Sequence, residues 1–219
     1  MKLATLVMLA LAGLAAAPDQ AQAQPSFIKD NVVKMVRKVG LHGNVSFREP
    51  TDPDVTKGTT FGASVGLSPG RTNGWRYPFG LTTFSEYLHG PNGQQFATFR
   101  ARAIMAGIGY GWHFGRLSTG ASLQTGYSFN RARPDGDILG AFAVPSGLVS
   151  VEAGNSWLLR PQIKAEYFIT PKFTFRISAD YMLMRPDIVV TTPTGRIGDH
   201  WDASNAHANI GFGVYPFRK

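Results

Sequence analysis

The sequence predicts an all-β protein: an eight-stranded antiparallel up-and-down transmembrane β-barrel with a short N-terminal amphipathic helix. Three observations carry this. Apolar and polar residues alternate with a period of two in eight separate segments, the repeat of a strand and not of a helix. Short and long connections take turns between those segments, which puts the long ones at one end and both termini at the other. Aromatic residues on the outward parity gather near both strand ends, with small and aliphatic residues between them, as two membrane interfaces favour.

Composition agrees. A chain of 219 residues has room for one core or one barrel. A mean hydropathy of −0.09 is far too low for a helical membrane protein but suits a barrel, where only alternate residues meet lipid. Glycine (25 residues) and aromatics (12%) are plentiful and charge is sparse (16%), which suits strands and tight turns. The absence of cysteine excludes a disulfide framework and a thiolate metal site. The formal charge of +8 is spread over helix, turns and barrel interior, with no basic and aromatic stacking face, so nucleic acid is not an expected partner.

In chain order, residues 1–23 are expected to be a signal peptide. Met1-Lys2 starts it, Leu3–Ala17 is its apolar run, and Ala21-Gln22-Ala23 is an A-x-A cleavage site. Pro18 and Asp19 interrupt the run short of the ~20 apolar residues a membrane helix needs. Residues 24–38 form the expected amphipathic helix. Phe27, Ile28, Val32 and Val36 recur at helical spacing, and Lys29, Lys34 and Lys38 lie off that face. Such a helix rests on a lipid interface or caps the barrel's end.

The barrel occupies 39–219, with strands expected over 39–48, 59–68, 75–88, 102–114, 117–129, 157–169, 173–183 and 206–217. The clearest is LSTGASLQTGYSF, where Leu117, Ala121, Leu123, Tyr127 and Phe129 alternate with Ser118, Gly120, Ser122, Gln124 and Ser128. Short connections follow the second, fourth and sixth strands (68–74, around Gly115, and 170–172), whereas 49–58, 89–99, 130–156 and 186–205 are long. Trp75, Tyr77, Trp112, Phe114, Tyr167, Phe173 and Phe175 form the expected belt at the turn end. Phe47, Phe61, Tyr87, Tyr127, Phe129, Trp157 and Tyr181 form the one at the loop end. A soluble barrel would invert the pattern.

The leading apolar run, the alternating strands with four long connections and the ending HANIGFGVYPF resemble the small outer-membrane β-barrel families, above all the membrane domain of outer membrane protein A and its relatives. The resemblance implies a bacterial outer-membrane location, contact with outer-membrane lipid and lipopolysaccharide, and delivery by the outer-membrane assembly machinery. Barrels of this kind commonly end on an aromatic residue read by that machinery. Here Phe217 is followed by Arg218 and Lys219, so Tyr215 and Phe217 are the candidates for that signal.

The interior parity carries Arg48, Arg76, Arg160, Lys164 and Arg176 against Glu86, Glu166 and Asp180, with Gln124, Gln162, Ser122, Asn44 and Asn209 among them. Charges in a narrow barrel are costly unless paired, so an ion-pair network filling a polar interior is expected. The alternative is a constricted pore that favours anions. Arg100 and Arg102 fall on the outward parity near the loop end, where lipopolysaccharide phosphates would lie. Asp199, His200, Ser204 and His207 are the only local set with triad-like ingredients, and ordinary loop composition accounts for them. The stretch 138–154 is apolar for an outer loop, suited to extending strands, covering the mouth or meeting a partner. The expected role is non-enzymatic, structural or interacting through the extracellular loops, without cofactor or metal. The alternative is a narrow pore or transporter for small solutes, ahead of a lipid A-modifying enzyme.

Overall fold

A computed structural model describes residues 39–51, 55–56, 60–67, 73–89, 95–135 and 148–217, with 55–56 and 60–67 as backbone. The expected signal peptide (1–23) and amphipathic helix (24–38) lie outside the described residues. The described strands are β1 (Val39–Pro50), β2 (Val55–Thr56), β3 (Thr60–Leu67), β4 (Gly74–His89), β5 (Gln95–Phe114), β6 (Leu117–Pro134), β7 (Ser150–Ala153), β8 (Ser156–Phe168), β9 (Phe173–Met184), β10 (Asp187–Thr192), β11 (Gly195–His200) and β12 (Asn205–Val214). Every pairing between them is antiparallel.

The main sheet runs β4-β3-β1-β12-β9-β8-β6-β5, and β5 pairs in turn with β4 along most of its length. The result is a strongly curled sheet with an inner and an outer face. Its outer face is apolar in the manner alternation requires: Leu41, Val45, Phe79, Ile104, Ile108, Leu123, Ile177 and Ile210 point outward, and Ile163 is 64% and Trp157 72% exposed. Trp75, Tyr77, Trp112, Phe114, Tyr167 and Phe173 ring the turn end, and Phe47, Tyr87, Phe129, Trp157 and Tyr181 the loop end. β5 and β6 are joined by Gly115-Arg116 alone, and Gly115 takes the left-handed φ of 61° that such a tight hairpin needs.

Three features depart from the sequence expectation. β5 begins at Gln95, inside the stretch expected to be a loop, and β6 runs on to Pro134. Alternation persists in these extensions, but its sense inverts: Ala97, Phe99, Ala101, Ala103 and Met105 are buried inside, and Thr98, Arg100 and Arg102 face out. Above a lipid band the outside is water, so a strand there buries its apolar side. Second, the long connections 130–156 and 186–205 are not plain loops, because β7, β10 and β11 pair into a separate three-stranded sheet. Third, β12 ends at Val214, and Tyr215–Phe217 turn away from strand geometry.

The loop-end interior is consequently an apolar core and not part of a wholly polar filling. Phe84, Leu88, Phe99, Met105, Leu158, Met182 and Met184 join Val149, Val151 and Ala203 from the connections, with Ile188, Val190 and Trp201 packed against them. Val149, Val151 and Ala153 of the apolar 138–154 stretch therefore fold into this core, while Leu148 stays exposed. Phe99 is fully buried, edge-on to Trp201 at 4.8 Å and tilted against Phe84 at 6.2 Å. Truncating such a phenylalanine costs about 3–5 kcal/mol. Phe99→Ala is therefore expected to make the β7–β10–β11 region protease-sensitive while the heat-modifiable gel shift of the folded barrel persists.

Candidate functional site

The inner face is built in layers, because every second residue of each strand points there and the register sets neighbours at common heights. At the turn end Glu166 of β8 is the hub. Its Oε1 accepts from Thr174 Oγ1 (2.9 Å) and Tyr215 OH (2.9 Å) and lies 3.2 Å from His42 Nε2. Its Oε2 lies 3.9 Å from Arg76 Nη1, and Arg76 Nη2 donates to Ser118 Oγ at 2.5 Å. The Arg76 guanidinium lies where a Cβ on Gly111 would stand, so the glycine makes room for it. Tyr215 is 1% exposed and closes this layer from just beyond the last strand, whereas Phe217 is 55% exposed. Of the two candidate assembly residues, only Phe217 has its ring on the surface.

Asp180 of β9 organises the middle. Arg160 grips it with two parallel bonds, Nε to Oδ1 at 2.7 Å and Nη2 to Oδ2 at 2.6 Å. His207 Nδ1 lies 2.7 Å from Oδ1, and Asn209 Nδ2 donates to Oδ2 at 2.7 Å. A buried carboxylate is tolerated only with such saturation, since removing it from water costs several kcal/mol. Asn44, Ser46 and Asn209 bond to one another beside it. Nearest the loop end, Arg48 pairs with Glu86, lies 4.7 Å over the Phe84 ring, and thus borders the apolar core. Asn205 Nδ2 donates to Glu86 Oε1 at 3.4 Å.

Of the eight charged residues of the expected interior network, Arg48, Arg76, Glu86, Arg160, Glu166 and Asp180 are buried and Lys164 and Arg176 half-buried, and they are not all joined. Arg48, Arg76 and Arg160 reach Glu86, Glu166 and Asp180 in that order. Arg176 instead donates to Gln162 Oε1 at 3.2 Å, and among the described residues Lys164 has neither an ion pair nor a hydrogen bond. His42, Thr174 and Tyr215 all gather at Glu166 Oε1, while its Oε2 has only Arg76 Nη1, at 3.9 Å. Lys164 and Arg176 are half-buried, unlike the fully buried Glu166 beside them. The inner face therefore carries an excess of positive charge at the level of β8 and β9.

The triad-like set is scattered. His200 pairs with Asp187 on the exposed β10–β11 hairpin, His207 faces inward to Asp180, and Ser204 Oγ accepts from the Met184 amide at 3.2 Å. Asp199 lies opposite Ile188 on the hairpin. Ser204 also donates to Asp202, which together with Arg185 holds that exposed carboxyl below its ordinary range. Among the described residues no grouping of histidine, aspartate and glutamate could hold a metal ion. Arg100 and Arg102 lie outside on β5, exposed, as their parity requires.

The fold is that of the bacterial outer-membrane β-barrels, and the outward apolar band is the surface such a fold turns to lipid. The structure resembles the outer membrane protein OprG from Pseudomonas aeruginosa, with a TM-score of 0.62 and 14% identity over 80% of this chain and 94% of that one. It also resembles outer membrane protein AlkL, determined in lipid bilayers (TM-score 0.55, 11% identity, 80% and 88% covered). Neisserial surface protein A gives a TM-score of 0.51 at 16% identity over 81% and 95%. No protein-family model matches the sequence, and no curated protein matches it.

Proposed function

We propose that the chain is a closed, non-enzymatic outer-membrane barrel of eight strands, exported by the signal peptide 1–23, with a structural or surface-interaction role exercised through its long connections. The observation that carries this is the inner face itself. Carboxylate-centred layers at Glu166, Asp180 and Glu86 lie beneath an apolar core, and together they leave the interior committed to holding the wall. An eight-stranded barrel is just wide enough for side chains to fill it. Purified, refolded protein in planar bilayers is expected to pass little current. Steady wild-type conductance would remove the closed reading.

Orientation is tested separately. Gly195, at the start of β11, has open space where a Cβ would stand, so Gly195→Cys is expected to label on intact cells. Arg116→Cys, in the turn between β5 and β6, is expected to label only after the envelope is permeabilised. Labelling of Arg116→Cys alone would reverse the topology, and labelling of both would overturn the strand assignment.

A second reading, passage of small apolar solutes, is favoured by one observation: the loop-end interior is lined by Phe84, Phe99 and the flexible side chains of Met105, Met182 and Met184. It requires uptake of an apolar dye into liposomes that carry the barrel.

A further inference from the structure

We propose that the outward faces of β5 and β6, just above the apolar band, bind the phosphate groups of a phosphorylated glycolipid of the lipid A class through Arg100, Arg102, Arg131 and Arg133. The argument begins with register. Arg100 stands directly opposite Arg131, Arg102 opposite Phe129, and Thr98 opposite Arg133. Alternation turns all of them outward, so four guanidinium groups share one patch two strands wide. Thr98, Phe129, Asn130 and the arginines line a groove of about 250 Å³ there. On the neighbouring strand β4, Thr83 and Ser85 stand opposite Arg102 and Arg100 and extend the patch with hydroxyls.

Such a patch is unfavourable by itself. Like charges directly opposite on adjacent strands destabilise a sheet, and groups this close are within one Debye length even in physiological salt. No carboxylate among the described residues lies within ion-pair range of any of the four. The nearest carboxylate in sequence, Asp135, already accepts from Thr98 Oγ1 at 2.8 Å and from Gln95. An anion seated between the strands would turn the repulsion into attraction. Guanidinium groups match phosphate with paired, parallel hydrogen bonds, which a simple snorkelling role at the rim does not require.

Height identifies the anion. On β5 the outward apolar run goes from Ile104 to Phe114, about 34 Å of strand and about 26 Å of vertical rise at a ~40° tilt. That equals the apolar band of an outer-membrane barrel, so the arginines begin where headgroups begin. Beneath them Tyr127 packs edge-on against Phe129 at 5.4 Å and Trp157 at 5.5 Å, a wall suited to acyl chains. Phosphate with acyl chains attached is a phospholipid or a lipid A-type glycolipid. Placement at the loop end selects the outer leaflet and hence the glycolipid, and this step rests on the proposed function's orientation, with the loop end outside the cell.

The test uses the full-length mature protein, refolded in detergent, with bisphosphorylated lipid A as probe and native mass spectrometry as readout. Wild type is expected to bind it. Arg100→Ala with Arg131→Ala, and separately Arg102→Ala with Arg133→Ala, are each expected to weaken binding about ten-fold or more. Replacing all four by lysine keeps the charge but not the paired donors, so that variant should bind more weakly than wild type and more tightly than either alanine variant. The heat-modifiable shift reports that each variant is folded. Dephosphorylated lipid A should bind wild type no better than the alanine variants do, and equimolar inorganic phosphate should displace nothing. Unchanged affinity in both folded alanine variants, equal binding of dephosphorylated lipid A, or displacement by equimolar phosphate would each overturn the proposal. The cysteine labelling separates the two failures. A wild type that fails to bind lipid A, with labelling as expected, sinks only this site, and reversed labelling sinks the orientation on which it rests.

Discussion

Asp180→Ala is expected to destabilise the refolded barrel by about 3–5 kcal/mol, the range for breaking a buried ion pair by removing one partner. The two oxygens of Asp180 hold Arg160 bidentately and also accept from Asn209, with His207 at 2.7 Å. Alanine leaves the Arg160 cation buried beside donors with nothing to receive them. The urea midpoint in detergent micelles, followed by tryptophan fluorescence, should fall accordingly. Asp180→Asn keeps one acceptor oxygen and should give a midpoint between those of wild type and Asp180→Ala. Combining Asp180→Ala with Arg160→Ala should cost less than the sum of the single changes, because the stranded cation goes with its partner. An alanine variant that unfolds with wild type would show the middle layer to be incidental.

How much of this is legible in the sequence follows from what a period of two can and cannot say. It assigns a face to each residue once a strand is recognised, so letters alone place Arg160, Glu166 and Asp180 inside and Trp75, Phe114 and Trp157 outside. The turns can be read because Gly115 and Thr170-Pro171-Lys172 leave so little chain between strands. The period does not say what medium surrounds each face. The stretch Gln95–Phe99 reads as loop when the expected pattern is apolar-out, and above the membrane the pattern is apolar-in. The β10–β11 hairpin is hidden differently: its β-branched run Ile188–Thr192 is short and mostly half-buried, between Pro186-Asp187 and Pro193-Thr194-Gly195.

Partners within the interior are harder still to read. Glu166 meets His42 across 124 positions and Tyr215 across 49, and only the strand pairings of the curled sheet bring them to one height. Residue types tell which groups need partners but not which will find them. By letters, Lys164 and Arg176 are as ready for an ion pair as Arg160 is. One signal exists for Tyr215: it continues the odd-numbered parity of His207, Asn209, Gly211 and Gly213, all of which face inward. Arg131 and Arg133 carry the same kind of signal, since they extend the outward parity of Leu123, Tyr127 and Phe129 beyond the expected strand end.

Glu166→Ala distinguishes a filled barrel from a pore. The carboxylate gathers Thr174, Tyr215, His42 and Arg76, and it is the nearest negative charge to Lys164, two residues before it on the same face of β8. Its loss leaves Arg76, Lys164 and Arg176 as uncompensated cations at the turn end. If the barrel is closed, wild type passes little current, and the variant either unfolds at a midpoint lowered by about 3–5 kcal/mol or opens an anion-selective leak as water enters to solvate those cations. Glu166→Gln preserves shape and some of the hydrogen bonds while removing only charge. It should therefore keep more of the stability and show the same preference for chloride over potassium in any current it passes. A barrel that is natively a pore behaves otherwise: wild type already carries steady anion-selective current, and losing Glu166 changes selectivity without opening anything new. Robust wild-type current would thus transfer the role of Lys164 and Arg176 from tolerated surplus charge to the lining of an anion path.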